Sequence, residues 1–483
     1  MSRRFHTTMG MPRIWRLAAT VLIITGTTSG FALMAAPAVS ASTVDPTQTL
    51  HDPATTSGDL FGTNVAVSES TAVVGSPGPG TPTLPVYGDP WTPGPGTAYI
   101  YVKGPWGWPA TPAVTLQDPA ATKGDGFGGG ANSVAVSGNT VIIGAYGTND
   151  GDGAAYVYVR GPGGWPTTPT VTLADPAATA GDNFGIAISL SGRTAIIGAP
   201  GGEAAYIYHE TQSGWPTTPT ITLHAPAAGL FGSAVSISRT TAIIGAYAAG
   251  SPSRAGEAYI YVNGPGGWPT TPTVTLQDPQ ATADDVFGNY VAVSRDTALI
   301  SDVGDGADNE AVGTAYIYVR GPSGWPTTPT VTLQDPADKA GDAFSASLAI
   351  SGNVALVGDG GNSATDAVYA YVRGSSGWPS TPSVTLDDPQ TPPAFPGDGF
   401  GQSLSISGAS LLIGGPRVSS DAGVAYFYCT PDQAAGPAIT EGWLPCQDGY
   451  GQDGYGQDGQ GTYGGWWDTF YSGWGSYITF END

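Results

Sequence analysis

The chain has 483 residues, and Gly 73 with Pro 42 make up about a quarter of it, a share that leans toward disorder. Against this stand 40% hydrophobic and 10% aromatic residues, enough to bury a core, so Gly and Pro read as punctuation between many short strands. The 39 acids outnumber 15 cations; such a surface repels nucleic acid and anionic lipid at long range, and neither is an expected partner.

Residues 1–41 read as a secretory signal peptide. Arg3, Arg4, Arg13 and Arg16 precede an apolar stretch opening at Leu17, and Val39-Ser40-Ala41 offers a cleavage site. The leader holds four cations and no acid, so the chain without it carries −28 rather than −24. No second hydrophobic span follows, and the mature chain is expected to be secreted, without a membrane segment. In that oxidising setting the two cysteines, Cys429 and Cys446, are expected to pair and to close the loop 429–446.

From there the chain repeats. A Phe, usually followed by Gly, recurs at Phe61, Phe127, Phe184, Phe231, Phe287, Phe344 and Phe400. Each opens the same pattern. First comes an alternating strand such as Val65/Val67 or Val134/Val136, whose period of two buries one face. A tight turn (Ser137-Gly138-Asn139) leads to a continuous apolar run, Val141-Ile142-Ile143, suited to a strand covered on both faces. After a variable loop comes a Tyr-x-Tyr strand, as at Tyr156/Tyr158. A Gly-Trp-Pro turn then gives a fourth strand, stopped by Asp-Pro, as at Asp175-Pro176.

Four antiparallel strands in some 56 residues fit one propeller blade. The ends are complementary: Thr47–Leu50 is an orphan fourth strand, and the seventh repeat stops after its third at Tyr428. The fold expected is therefore all-β, a seven-bladed β-propeller over 42–428, its ring closed by the N-terminal strand completing the last blade, which leaves no sheet edge bare.

Phe-Gly, the Val-x-Val strand and the turn Gly198-Ala199-Pro200 together resemble the FG-GAP repeat, which builds the N-terminal propeller of integrin α subunits and of many secreted bacterial proteins. The resemblance implies extracellular recognition of a protein or glycan ligand, as in adhesion. Integrin-type blades hold Ca²⁺ in an Asp-x-Asp-x-Asp-Gly loop between the first two strands; here that connection is only a few residues, such as Ser191-Gly192-Arg193, and lacks that set of carboxylates. The acidic loop Asp302, Asp305, Asp308 and Glu310 offers several oxygens close in sequence, and Ca²⁺ is the cofactor it suggests.

No catalytic constellation emerges. His51 and His224 sit at loop positions of the template, and the recurring Asp-Pro aspartates read as turn caps. The six Gly-Trp-Pro indoles read as buried pins for the outer strands. One Pro-rich insertion, Ser76–Gly96 with Tyr87 and Trp91, breaks the symmetry and is the expected ligand-binding loop. Copy four lacks Gly-Asp before its Phe, copy six has Ser345 for the usual Gly, and copy five has Ser301. Beyond Cys446, a Gly/Tyr/Gln/Asp run (447–462) precedes an aromatic segment (463–483), a candidate for docking or self-association. The alternatives to a binding protein are a propeller hydrolase of extracellular polymers and an assembly protein driven by this tail.

Overall fold

The computed structural model of the protein describes residues 44–79, 94–120, 122–177, 179–250, 254–281, 285–304, 312–337, 343–360, 366–390 and 397–430. These form seven four-stranded antiparallel sheets. Blade 1 holds Asn64–Ser68, Thr71–Ser76, Thr97–Val102 and Val114–Gln117 in that order. Blades 2 to 6 repeat it, each from four consecutive strands. Blade 7 takes Ser403–Ser407, Ser410–Gly415 and Val424–Cys429 from the end of the propeller, and its fourth strand, Gln48–His51, from the beginning. Gln48 pairs with Phe427 and His51 with Val424. The expected closure is thus the observed one.

Burial follows the periodicity. All six residues of Thr140–Ala145 are buried, as the continuous apolar run requires, whereas in outer strands such as Val114–Gln117 only the Leu is fully covered. The buried apolar side chains fall into seven clusters, each joining neighbouring blades. In one, Ile100 and Leu116 of blade 1 pack with Val141, Tyr158 and Trp165 of blade 2. A lone blade cannot bury both faces, so the ring is the smallest stable unit.

The Gly-Trp-Pro indoles belong to these clusters. Trp108, Trp165, Trp215, Trp325 and Trp378 are buried and Trp268 is half-buried. Trp108 stacks on Phe427 across the closing junction, ring centroids 4.3 Å apart. Each indole ties its blade to the preceding one, as the pinning reading requires. The Phe of each repeat packs at the same interface, Phe127 on Tyr156 at 5.8 Å and Phe184 on Tyr206 at 5.6 Å.

Glycine marks the closest approach of the blades. A Cβ on Gly144 would lie 1.9 Å from the carbonyl oxygen of Gly185 in the next blade, so neither position tolerates a side chain without movement. The same pair recurs as Gly198 with Gly232 and Gly245 with Gly288. At the junction of blades 5 and 6 both partners are serine, Ser301 and Ser345. There Thr297–Asp302 packs against Phe344–Ser351, whose register shifts between Phe344 and Ser347. Two departures from the repeat, far apart in sequence, are therefore the two sides of one contact.

Serines also lace the inner strands together. The turn amide of Arg239 donates to Ser191 Oγ at 3.0 Å, that of Arg295 to Ser238 Oγ at 3.1 Å, and that of Gly352 to Ser294 Oγ at 3.1 Å. The link continues across the closure, where the Glu69 amide donates to Ser407 Oγ at 3.3 Å. The inner strands enclose a channel of about 230 Å³ lined by Val, Ile, Leu, Ala, Ser and Asn132. No titratable side chain is among its lining residues.

The topology sorts connections onto two faces. One carries the turns between strands one and two and between strands three and four. These are short and nearly alike, the latter closed by the same glycine bridge at Gly161–Gly164, Gly264–Gly267, Gly321–Gly324 and Gly374–Gly377. The other face carries the loops between strands two and three and the links between blades. Length, composition and acidity vary there.

Candidate functional site: the acidic loop face

The aspartates of the Asp-Pro stops that end the outer strands lie on the variable face and cap their own turns. Asp118, Asp175, Asp278, Asp335 and Asp388 each accept the amide two residues on, at 2.7–3.0 Å. The fixed cap also presents the carboxylate to the next blade: Tyr206 donates to Asp175 at 3.0 Å and Tyr316 to Asp278 at 3.4 Å. The aspartate preceding the repeat Phe approaches from the other side. The result is an acidic pair at successive junctions, such as Asp52 with Asp59 and Asp278 with Asp285. Burial, and then the Asp52 charge, push Asp59 up to about 6.

The fourth copy, which lacks that aspartate, is completed from outside. Glu203, in the loop of blade 3 at φ +50°, accepts the amides of Gly229, Leu230 and Phe231, each at 2.9 Å. One carboxylate thus satisfies three backbone donors ahead of the inner strand. Glu257, buried at the start of the third strand of blade 4, binds the Tyr259 hydroxyl and accepts from Gln277 at 2.9 Å.

Blade 5 adds a third acid. Its second strand ends in Asp302, where Ser76, Ala145, Ala199 and Ala246 stand in blades 1 to 4. Carboxylate oxygens of Asp278, Asp285 and Asp302 all lie within 4.8 Å of one another. Asp302 and Asp278 are buried and Asp285 is half-buried. Burial, followed by the charges of Asp278 and Asp285, pushes Asp302 up to about 8, and burial chiefly pushes Asp278 up to about 6. Three such groups do not ionise together in a low-dielectric junction; they retain a proton or take up a cation. Oxygen-only ligands from three carboxylates suit a hard divalent ion such as Ca²⁺.

The junction of blades 6 and 7 solves the same problem with an internal cation. Asp366 accepts the amide of Gly399 at 3.0 Å and feels the charges of Asp398 and Asp388; burial first, then those charges, push it up to about 8. Arg417 lies close enough to offset part of that, its own pKa lowered by burial and held up by Asp366, Asp421 and Asp398.

The structure keeps Asp302 and changes its company. The expected partners Asp305, Asp308 and Glu310 lie outside the described residues, and the acids that meet Asp302 are the Asp-Pro turn cap Asp278 and Asp285, two residues before the repeat Phe. A detectable signal existed: in four other blades the second strand ends in Ser or Ala, and only blades 5 and 6 put Asp there, at Asp302 and Asp359. Tyr87 and Trp91 also lie outside the described residues. Cys429 is buried at the end of the last strand, and its expected partner Cys446 lies outside them. No helix among the described residues is long and apolar enough to cross a membrane.

A family model described as FG-GAP repeat matches residues 114–158, 168–213, 226–261 and 271–318. Three of these four segments run from an outer strand through the third strand of the next blade. That is the same phase in which Gln48–His51 precedes blade 1. No curated protein matches the chain.

Proposed function

We propose, from the premise that the chain is an FG-GAP repeat β-propeller protein, that it is an exported, non-enzymatic binding protein of the adhesion type. It offers the variable loop face to an extracellular protein or glycan. The observation that carries this reading is the division of labour between faces. Near-identical turns hold one side, while the other collects the long and divergent loops, and binding residues concentrate on loops that a rigid scaffold positions. The apolar and serine-lined channel supports binding over catalysis, since acid–base or nucleophilic chemistry needs titratable groups converging on a cavity. The acidic trio supplies the face with a cation-dependent element, through which Ca²⁺ would fix the loop of blade 5.

A glycan and matrix-protein array probed with residues 42–483 tests the reading. Binding that weakens when Pro79–Pro93 is deleted, or when loops of the variable face are exchanged between blades, is the expected result. Binding untouched by every such change, or release of product from a polymer substrate, would overturn it.

A further inference from the structure

The face of uniform turns has a charge of its own. Among the described residues it carries Arg193, Arg239 and Arg295 on inner turns and Lys103, Arg160, Arg320 and Arg373 after third strands, against Asp45, Glu69, Glu210 and Asp296. Two of the arginines are neutralised locally: Arg193 pairs with Glu210 and Arg373 with Asp296, both at 3.3 Å. Arg239 and Arg295 are exposed and have no acidic partner among the described residues.

Both stand where the backbone prefers glycine. Their φ values are +55° and +56°, at the turn position that Gly138, Gly192, Gly352 and Gly408 occupy in four other blades. A side chain there is disfavoured sterically, and the strain calls for a return elsewhere. The serine lacing holds these two turns side by side, because Ser238, adjacent to Arg239, receives the amide of Arg295. The result is two neighbouring turns at the rim of the channel, each carrying an exposed arginine.

The described chain also leaves from this face. Cys429 closes the third strand of blade 7, and the Thr430 amide donates to Ala409 O, in the inner turn of that blade, at 2.8 Å. The sequence that follows, 431–483, holds eight acids and no Lys, Arg or His, with an aromatic cluster from Tyr463 to Phe480. The outer turn of the adjoining first blade carries Trp106, 98% exposed, where the other outer turns have Gly or Ser. Its neighbour Trp108 stacks on Phe427 of that same last strand.

We infer that segment 431–483 folds back onto the turn face of its own propeller, its carboxylates against Arg239 and Arg295 and its aromatic residues against Trp106. Fifty-three residues span far more than the distance to the rim, at about 3.3 Å per extended residue. A tethered partner also meets the face at an effective concentration in the millimolar range. The variable face stays open, so ligand binding and tail docking occupy opposite sides of the ring.

The test is chymotryptic cleavage of the full chain, followed by mass spectrometry at the sites between Tyr463 and Phe480. Arg239→Gly with Arg295→Gly suits the left-handed turns and spares the fold, and Arg239→Lys with Arg295→Lys keeps the charge. Cleavage several-fold faster in the glycine variant than in the parent or the lysine variant is the expected result, with a smaller gain for Trp106→Gly. Equal rates in all four proteins would overturn the inference. Protection that grows with protein concentration would also overturn it, placing the segment on a second copy.

Discussion

The two faces of the ring are built from the same repeat and have opposite freedom. On the turn face each connection is bound to a neighbour: the Trp of one blade packs on the blade before, and each laced turn amide donates to a serine of the preceding inner strand. A change there disturbs an interface. On the loop face the template is a pair of carboxylates, and blades depart from it without loss of the fold. Glu203 replaces a missing aspartate, Arg417 offsets a crowded set, and Asp302 joins a pair to make a trio. The difference teaches where this architecture admits new chemistry: at junctions on the loop side, where polar groups already converge.

The strongest way to break the contrast is Trp165→Ala on the turn face. Truncating a buried indole at an inter-blade cluster is expected to cost about 3–5 kcal/mol in urea unfolding; a loss below about 1 kcal/mol would remove the pinning role. Next, Glu203→Ala on the loop face strips three amides of their common acceptor and is expected to cost about 2 kcal/mol, Glu203→Gln costing less. Equal stability of the parent and both variants would show that solvent serves those amides as well.

The acidic trio gives a pH signature. The folded-state pKa of Asp302, about 8, and of Asp278, about 6, lie above the ordinary carboxylate range. The stabilisation from their protonated forms is complete below pH ~4 and is lost as pH rises through these folded values. Without divalent ions, Tm is expected to fall between pH 5 and pH 8, by about 1 °C for each kcal/mol involved in a fold of this size. Ca²⁺ is expected to restore it at pH 8. Asp302→Asn should flatten the pH profile and abolish the Ca²⁺ response; a variant that keeps both would dissociate them from the trio. The smallest effect belongs to Glu210→Ala, whose exposed pair with Arg193 is worth about 0–1 kcal/mol. A loss above about 2 kcal/mol would make the turn face more electrostatically bound than its packing implies.

The fold was legible because its determinants are local and repeated. Phe, Val-x-Val and Tyr-x-Tyr mark strands by their spacing, and the unmatched strands at the two ends imply closure by themselves. The site was legible only at Asp302. Asp278 and Asp285 lie well before it in the chain and look like ordinary template residues, so only the stacking of blade on blade reveals that they meet. Ser301 and Ser345 read as unrelated blemishes for the same reason. A one-dimensional pattern shows what each repeat contains, while contacts between repeats depend on which positions face each other across a junction.

The pairing of Gln48–His51 with Val424–Cys429 also sets an order of events. Some 375 residues separate the partners, so the closing contact carries the loop-closure cost of nearly the whole propeller, and slow, late completion is expected of such a non-local contact. Until the final strands emerge, the first has nowhere to pair. A nascent chain therefore holds an open arc of blades whose exposed edge invites pairing with another chain. Joining the ends is what turns that arc from an aggregation hazard into a finished surface.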